Sequence, residues 1–193
     1  CILDLGCGTG GLLLALEESG YKNVRGIDIS GEQINKAMEL GLKNIECAEA
    51  MQFLNDKKDE YHLIVGIDLI EHFTKEELLD LLNAIKNALK EGGLAIFRTP
   101  NADAPMASTY TLGDFTHEVF LNYFSAQQLF LNAGYRNIKI MPSHIRVAGV
   151  MKRLFQCLFW PLLVFVCKLV LFSSGKSTKM IVFTPNLLIF AQK

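Results

Sequence analysis

The chain has few of the residues that build disulfide or zinc scaffolds. Its five cysteines among 193 residues form no CxxC pair and no Cys/His cluster, which argues against both and points to a reducing compartment. Acidic residues are missing altogether after Glu118: all 20 Asp and Glu lie in residues 1–118, together with 10 of the 19 Lys and Arg. Residues 119–193 therefore carry nine positive charges and no negative one. A uniform soluble globule rarely sorts its charge this way. These basic residues are interleaved with apolar ones and sit in no recognisable nucleic-acid motif, so no nucleic-acid partner is expected. Disorder is excluded as well, because half of the residues are hydrophobic and only 20% are charged, with a mean hydropathy of +0.25. The length suits one domain, 1–193, with a full core. The first residues already read as a buried strand that starts at Cys1, so an N-terminal segment is expected to precede them. No signal peptide is visible in the residues given.

Strand-like and helix-like stretches alternate. Cys1–Leu5 is an apolar run that ends in glycines. Val24–Asp28, Asn44–Ala48, Tyr61–Asp68, Leu94–Thr99, Tyr135–Met141 and Ile181–Ala191 are the further strands. Leucines recur at helical spacing over Gly11–Glu18. Ser30 with Gln33, and Thr74 with Glu77, have the spacing of capping boxes. The second box opens an amphipathic helix that runs to about Lys90 and is ended by Gly92 and Gly93. Ser125 with Gln128 opens a helix that ends near Gly134, and residues 101–124 read as loop. This order predicts an α/β fold, a doubly wound and mostly parallel sheet, whose ligand lies beyond the carboxyl ends of the strands.

At the first strand end stands Asp4-Leu5-Gly6-Cys7-Gly8-Thr9-Gly10-Gly11. Its glycines allow a tight turn and the close approach of a ligand. Gly6, Gly8 and Gly11 satisfy a loose GxGxxG, and Asp28 falls where an acid holds ribose hydroxyls, so a nicotinamide dinucleotide is one reading. Asp4 argues against it. A carboxylate just before the turn repels a pyrophosphate but suits a ligand that carries ammonium or sulfonium charge, such as S-adenosylmethionine.

Asp4-Leu-Gly-Cys-Gly-Thr-Gly10 resembles the first motif of class I S-adenosylmethionine-dependent methyltransferases. Gly26-Ile-Asp28-Ile-Ser30 resembles their second-strand acidic motif. Ala48-Glu49-Ala50 stands in place of Gly-Asp-Ala. Asp68-Leu-Ile-Glu71-His72 is similar to the fourth-strand motif of the ubiquinone-biosynthesis subgroup, and Leu89-Lys-Glu-Gly-Gly93 with Arg98-Thr-Pro-Asn101 to its fifth. The resemblance covers roughly residues 1–140 and the final strand. It implies a seven-stranded Rossmann-like sheet with the last strand antiparallel, and S-adenosyl-L-methionine as cofactor. By the same resemblance Asp4 and the Gly6, Gly8 and Gly10 backbone hold the methionine moiety, and Asp28 takes the ribose hydroxyls. Ile29 and Ala50 flank the adenine, Glu49 reaches its amino group, and Asp68 lines the methionine end.

Methyl transfer to a hydroxyl gains from a base beside the attacking oxygen. Of four histidines, His62 lies early in a strand and reads as structural. His72 follows the fourth strand and faces the expected cleft. His117 sits in a polar loop with Tyr110, Asp114, Glu118 and Tyr123 and is expected on the acceptor side. His144 follows the sixth strand and could reach the same cleft. His72 and His117 are the catalytic candidates. Asp68, Glu71 and His72 could together offer ligands to a divalent cation, as ubiquinone-type relatives do with Glu where this chain has Asp68, but no metal is assigned.

The segment 150–178 is a hydrophobic, basic insertion before the last strand. Leu154–Phe172 is nearly long enough to span a bilayer, yet a single crossing would strand the last strand on the wrong side. Pro161 is expected to kink or split the segment, leaving an interfacial helix or a re-entrant hairpin that contacts the membrane through 152–176. The reading is a methyltransferase, peripheral at the cytoplasmic membrane face, that acts on a hydroxyl of a small, glycan or lipid-linked acceptor. A quinone-type acceptor is the nearest rival. A catalytically silent, membrane-docked cofactor-binding module is a second, and a nicotinamide oxidoreductase a third.

Overall fold

A computed structural model describes residues 1–144 and 147–193. Its sheet comprises β1 (Ile2–Leu5), β2 (Val24–Asp28), β3 (Ile45–Cys47), β4 (Tyr61–Ile67), β5 (Leu89–Pro100), β6 (Arg136–Ser143) and β7 (Asn186–Gln192). The strand order is β3-β2-β1-β4-β5-β7-β6. Only β7 runs antiparallel to its neighbours, as the resemblance implies. The helices are α1 (Gly11–Glu18), α2 (Gly31–Glu39), α3 (Ala50–Leu54), α4 (Lys75–Ala88), α5 (Ala107–Thr111), α6 (Tyr123–Asn132) and α7 (Val150–Ser173).

Residue alternation along β1 builds two cores. Leu3 and Leu5 point into the larger one with Ile64, Phe97, Leu82 and Phe130. Ile2 points the other way, onto Leu13, Val24 and Ile34. Asp4 shares the Ile2 face by the two-residue period of a strand, so a carboxylate is carried into an apolar layer and is only 2% exposed.

Several boundaries differ from the sequence reading. β5 begins at Leu89, opposite Tyr61, so α4 ends at Ala88 and Gly92 and Gly93 lie within an irregular stretch of strand. Strand pairing, which the local glycine signal does not contain, extends β5 backward. α6 is capped by Asn122, whose side chain accepts from Ser125 N while Ser125 Oγ accepts from Asn122 N. Ser125 therefore closes the capping box from its third position. α5 is a short helix inside the segment that reads as loop, and α3 is a short helix between β3 and β4. β7 starts at Asn186 rather than Ile181.

The insertion is also corrected. α7 runs unbroken through Pro161 as one helix of 24 residues, and none of them is buried. The ring removes a single donor, the one that would serve the Cys157 carbonyl, and the Leu-, Val- and Phe-rich turns on both sides keep their own bonds. The re-entrant hairpin is thereby replaced by a continuous rod. Both roots of the insertion lie at one place, because Ser143 pairs with Asn186, which also pairs with Pro100. Buried Asn101 ties this junction together. Its Nδ2 donates to the Val182 and Thr184 carbonyls at 2.7 Å each, and its Oδ1 accepts from Asp103 N at 3.1 Å.

Replacing Asn101 with Ala is expected to destabilise the fold by about 1–3 kcal/mol for each carbonyl left buried and unpaired. Urea denaturation, with an unchanged denaturant slope, checks this.

Candidate functional site

The parallel order reverses between β1 and β4, and the cleft opens there. A cavity of about 380 Å³ is lined by Gly6, Asp28, Ile29, Glu49, Ala50, Asp68 and His72, with Ile27, Ala48, Leu69 and Phe73 between them. Seven residues singled out from the sequence thus meet in one cleft. Asp4, Gly8 and Gly10 form the floor and turn beneath it, and His117 stands at its far end. His62 is exposed beside Lys90, and His144 is exposed and lines no part of the cleft.

The loop after β1 turns because Gly6, Gly8 and Gly10 all have positive φ, at 71°, 52° and 78°. This region is costly for any residue with a Cβ. At Gly10 a Cβ would also drive into Leu42. Asp28 braces the loop: Gly8 N donates to its Oδ2 and Ser30 N to its Oδ1, both at 2.8 Å. Beneath the loop, Asp4 Oδ1 is buried without a hydrogen-bond partner among the described residues. Burial, and then the charge of Asp28, push the Asp4 carboxyl up to about 7. Beside the cleft Ile29 is 74% exposed, an apolar side chain with nothing upon it.

Two predicted contacts are partly occupied. The Glu49 carboxylate accepts from Met51 N at 2.8 Å and Gln52 N at 2.7 Å, capping α3. Asp68, itself at a positive φ of 51°, accepts from both Arg98 Nε and Arg98 Nη2. Its charge is therefore matched, which withdraws Asp68 from the cation-binding set considered on sequence.

His117 takes its place. Glu118 N and Val119 N donate to the Glu71 carbonyl at 2.8 and 3.2 Å, docking the loop after β5 onto the 3-10 turn Ile70–His72. The His72 and His117 rings then meet edge to face with centroids 4.9 Å apart. One ligand atom from each of Glu71, His72 and His117 lies within 4.8 Å of the others. Glu71 is 1% exposed, neither of its carboxylate oxygens has a hydrogen-bond partner among the described residues, and burial pushes the group up to about 7.

The hydrogen bonds fix which imidazole nitrogens are available. Thr116 Oγ1 donates its only proton to Asp114 Oδ1 at 2.7 Å, so at 2.9 Å from His72 Nδ1 it accepts. His117 Nδ1 donates to the Thr111 carbonyl at 2.9 Å. In its neutral form each ring therefore carries the proton on Nδ1 and the lone pair on Nε2. Sequence reasoning missed Thr116, Arg98 and the burial of Glu71. Thr116 reaches His72 from a distant loop and Arg98 reaches Asp68 across the pairing of β4 with β5, so no local spacing announces them.

A sequence profile of the methyltransferase-domain family matches residues 1–140. Over 106 residues the chain is 37% identical to N-methyltransferase 4 of Papaver somniferum, covering 50% of this chain and 28% of that protein. Over 98 residues it is 28% identical to the cyclopropane-fatty-acyl-phospholipid synthase of Escherichia coli, covering 51% and 25%. The chain spans between 23% and 30% of the curated relatives it matches. Among solved structures, a SAM-dependent methyltransferase from Archaeoglobus fulgidus superposes with a TM-score of 0.73 at 21% identity, over 100% of this chain and 85% of that one. Phosphoethanolamine N-methyltransferase 2 of Haemonchus contortus, solved with S-adenosyl-L-methionine, gives 0.69 at 15% identity, over 100% and 48%. At these identities the two structures establish the fold.

The raised Asp4 carboxyl sets a pH dependence. Between its unfolded value near 3.8 and about 7, the folded chain binds the extra proton, so this group costs stability increasingly as pH rises through that window and most above it. Asp4→Asn should raise the melting temperature at pH 8 by several degrees and change it little at pH 4, read by scanning calorimetry.

Proposed function

The chain belongs to the methyltransferase-domain family, whose members use S-adenosylmethionine, and we propose that it transfers the methyl group to a hydroxyl of a small, glycan or lipid-linked acceptor. When bound, S-adenosylmethionine supplies a methyl on a positively charged sulfur. The residues fit such a ligand. Asp4 keeps a buried, unpaired oxygen below the turn, and the turn itself is built of glycines. Both Asp28 oxygens retain acceptor capacity beyond their backbone bonds, and Ile29 offers an exposed apolar face for a base.

In this reading Asp4 and the Gly6–Gly10 backbone hold the amino-acid end. Asp28 would accept from the ribose hydroxyls, and Ile29 and Ala50 would pack around the adenine. Glu49 can accept from the adenine amine with the lone pairs its capping bonds leave. Asp68, locked to Arg98, shapes the methionine end without adding net charge.

The observation that carries the hydroxyl reading is the pair of imidazoles with free Nε2 atoms at the acceptor end. A hydroxyl must lose a proton as its oxygen attacks, and His72 Nε2 is oriented by Thr116 to receive it. The sulfonium would keep the bonding electron pair of the departing methyl, so the proton of the hydroxyl is what this chain's own residues must take up. His117 lines the same acceptor side. An amine acceptor that arrives deprotonated would have no such need.

A second reading has its own observation. Glu71, His72 and His117 together offer a carboxylate and two imidazole lone pairs, a donor set suited to a divalent cation that would bind an acceptor hydroxyl and make it more acidic. A quinone-type acceptor belongs with that reading. A silent cofactor-binding module is the rival from another class. For location, the exposed α7 and its basic flanks support peripheral attachment at the cytoplasmic face of the membrane through 152–176.

Calorimetric titration with S-adenosylmethionine tests the cofactor site. Asp28→Ala should weaken binding by about 1.5–3 kcal/mol per charge-assisted bond lost. Because the ligand is cationic, it binds the ionised form of Asp4. Affinity should therefore climb by up to about tenfold per pH unit towards pH 7 and level off above it, and Asp4→Asn should abolish the slope. His72→Gln should leave this affinity unchanged and cut turnover on hydroxyl acceptors by about 100-fold or more. Tight binding with no turnover by the unaltered chain on any acceptor would favour the silent module.

A further inference from the structure

α7 leaves a large apolar surface uncovered. Leu158, Leu162, Phe155 and Phe172 are 69%, 57%, 60% and 78% exposed, and Phe155 stacks on Phe159 with centroids 4.6 Å apart. At 100° per residue the strongly exposed apolar side chains from Leu154 to Phe172 fall within about one half of the helix circumference. Lys152, Arg153, Gln156 and Lys168 fall in the other half. The less exposed residues Gln156, Trp160, Val164, Cys167 and Leu171 share that second half. One side of α7 is thus polar, and the other is apolar and exposed.

The chain that leads back to the sheet limits how α7 can meet a bilayer. A helix of 24 residues is about 36 Å long at 1.5 Å per residue. The return segment is pinned at Val182, whose carbonyl is bound by Asn101. Residues 174–181 alone would have to recross the membrane, and fully extended they reach about 27 Å. That is less than the helix they must retrace and less than the hydrocarbon thickness of about 30 Å. They would also cross as bare backbone bearing Lys176 and Lys179, which lipid does not accommodate.

The charge says what covers the apolar half. Lys152, Arg153, Lys168, Lys176 and Lys179 are all exposed, and none forms an ion pair among the described residues. Pairing two copies through α7 would bring these cations together with no acid in residues 119–193 to offset them. An anionic headgroup layer pairs with them, while acyl chains take the apolar half.

An independent feature fixes the orientation. β5 and β6 end, and β7 begins, at the sheet edge that carries the glycine turn, so α7 is rooted at the cofactor edge. The loop that starts there and carries His117 is fringed with bare apolar side chains: Met106 is 76% exposed, Leu112 64% and Phe115 fully so. Resting on the membrane reading above, we propose that α7 lies flat in one leaflet of an anionic bilayer without crossing it, and that the 106–115 fringe touches the same surface and holds the acceptor end of the cleft at the headgroups.

Trp160 is the only tryptophan and lies near the middle of α7, so its depth separates the two geometries. The full chain is mixed with vesicles of equal phosphatidylglycerol and phosphatidylcholine that carry a quencher either near the headgroup or near the acyl terminus. A flat helix gives Trp160 quenching several-fold stronger with the shallow probe, and binding falls sharply on pure phosphatidylcholine. Dominance of the deep probe would establish a span and overturn the proposal. So would absence from floated vesicles together with elution as a dimer. In a Trp160→Phe background, Phe115→Trp should be quenched on binding, whereas Tyr21→Trp, at the opposite sheet edge, should not. Equal responses from both would overturn the orientation. A chain carrying Leu158→Asn, Leu162→Asn and Phe165→Asn, all exposed positions, should stop floating yet bind S-adenosylmethionine as before. Loss of cofactor binding by the unaltered chain would instead count against the methyltransferase reading, whatever α7 does.

Discussion

The site depends on a carboxylate kept where water cannot reach it. Strand periodicity turns Asp4 into the smaller core, and the glycine turn closes above it. The cost of that burial appears as a carboxyl pushed up to about 7, with the charge of Asp28 adding to it. A buried, half-titrated acid without a partner is a poor structural element, because an apolar residue would pack there at less cost. Its presence makes sense when a cation completes it. Positive φ at Gly6, Gly8 and Gly10 serves the same end, because each lets the backbone turn tightly above Asp4.

Asp28 shows how the fold economises. By accepting from Gly8 and Ser30, it holds the turn in place and starts α2. The same two oxygens face the cleft with capacity to spare. Binding and folding are therefore coupled at one residue, and a ligand that engages Asp28 also stiffens the loop that covers Asp4. The acceptor end is assembled differently. There the Glu71 carbonyl clamps the loop after β5, and Asp114 acts through Thr116 to set the tautomer of His72.

The cofactor half was legible in the sequence because its determinants are local. A strand end, a glycine turn and an acid at the end of the next strand lie in order along the chain, and periodicity assigns each to a face. Asp4 and Asp28 could be named in this way, and Ile29 through the resemblance to the methyltransferase motifs. The acceptor half depends on contacts between distant segments. Nothing near Asp68 announces that Arg98 will neutralise it, and nothing near His72 points to Thr116 or to the imidazole of His117. Boundaries failed for the same reason. β5 extends back to Leu89 because Tyr61 pairs with it, overriding the glycines, and Asn122 displaces Ser125 as the cap because the two bond reciprocally.

The sorting of charge along the chain then acquires a structural meaning. The acidic portion builds β1–β5, whose strand ends need carboxylates, together with the helices α1–α4 around them. The portion without acids builds β6, α7 and β7, and its exposed cations surround a helix that no part of the body buries. A soluble rod with this much bare apolar surface would aggregate unless something covered it. The topology allows a cover on one side only, because β7 must return to sit between β5 and β6. Insertion of the final strand into the sheet brings both ends of the α7 segment back to one sheet edge. It also roots the helix at the sheet edge from which the loop that carries His117 departs.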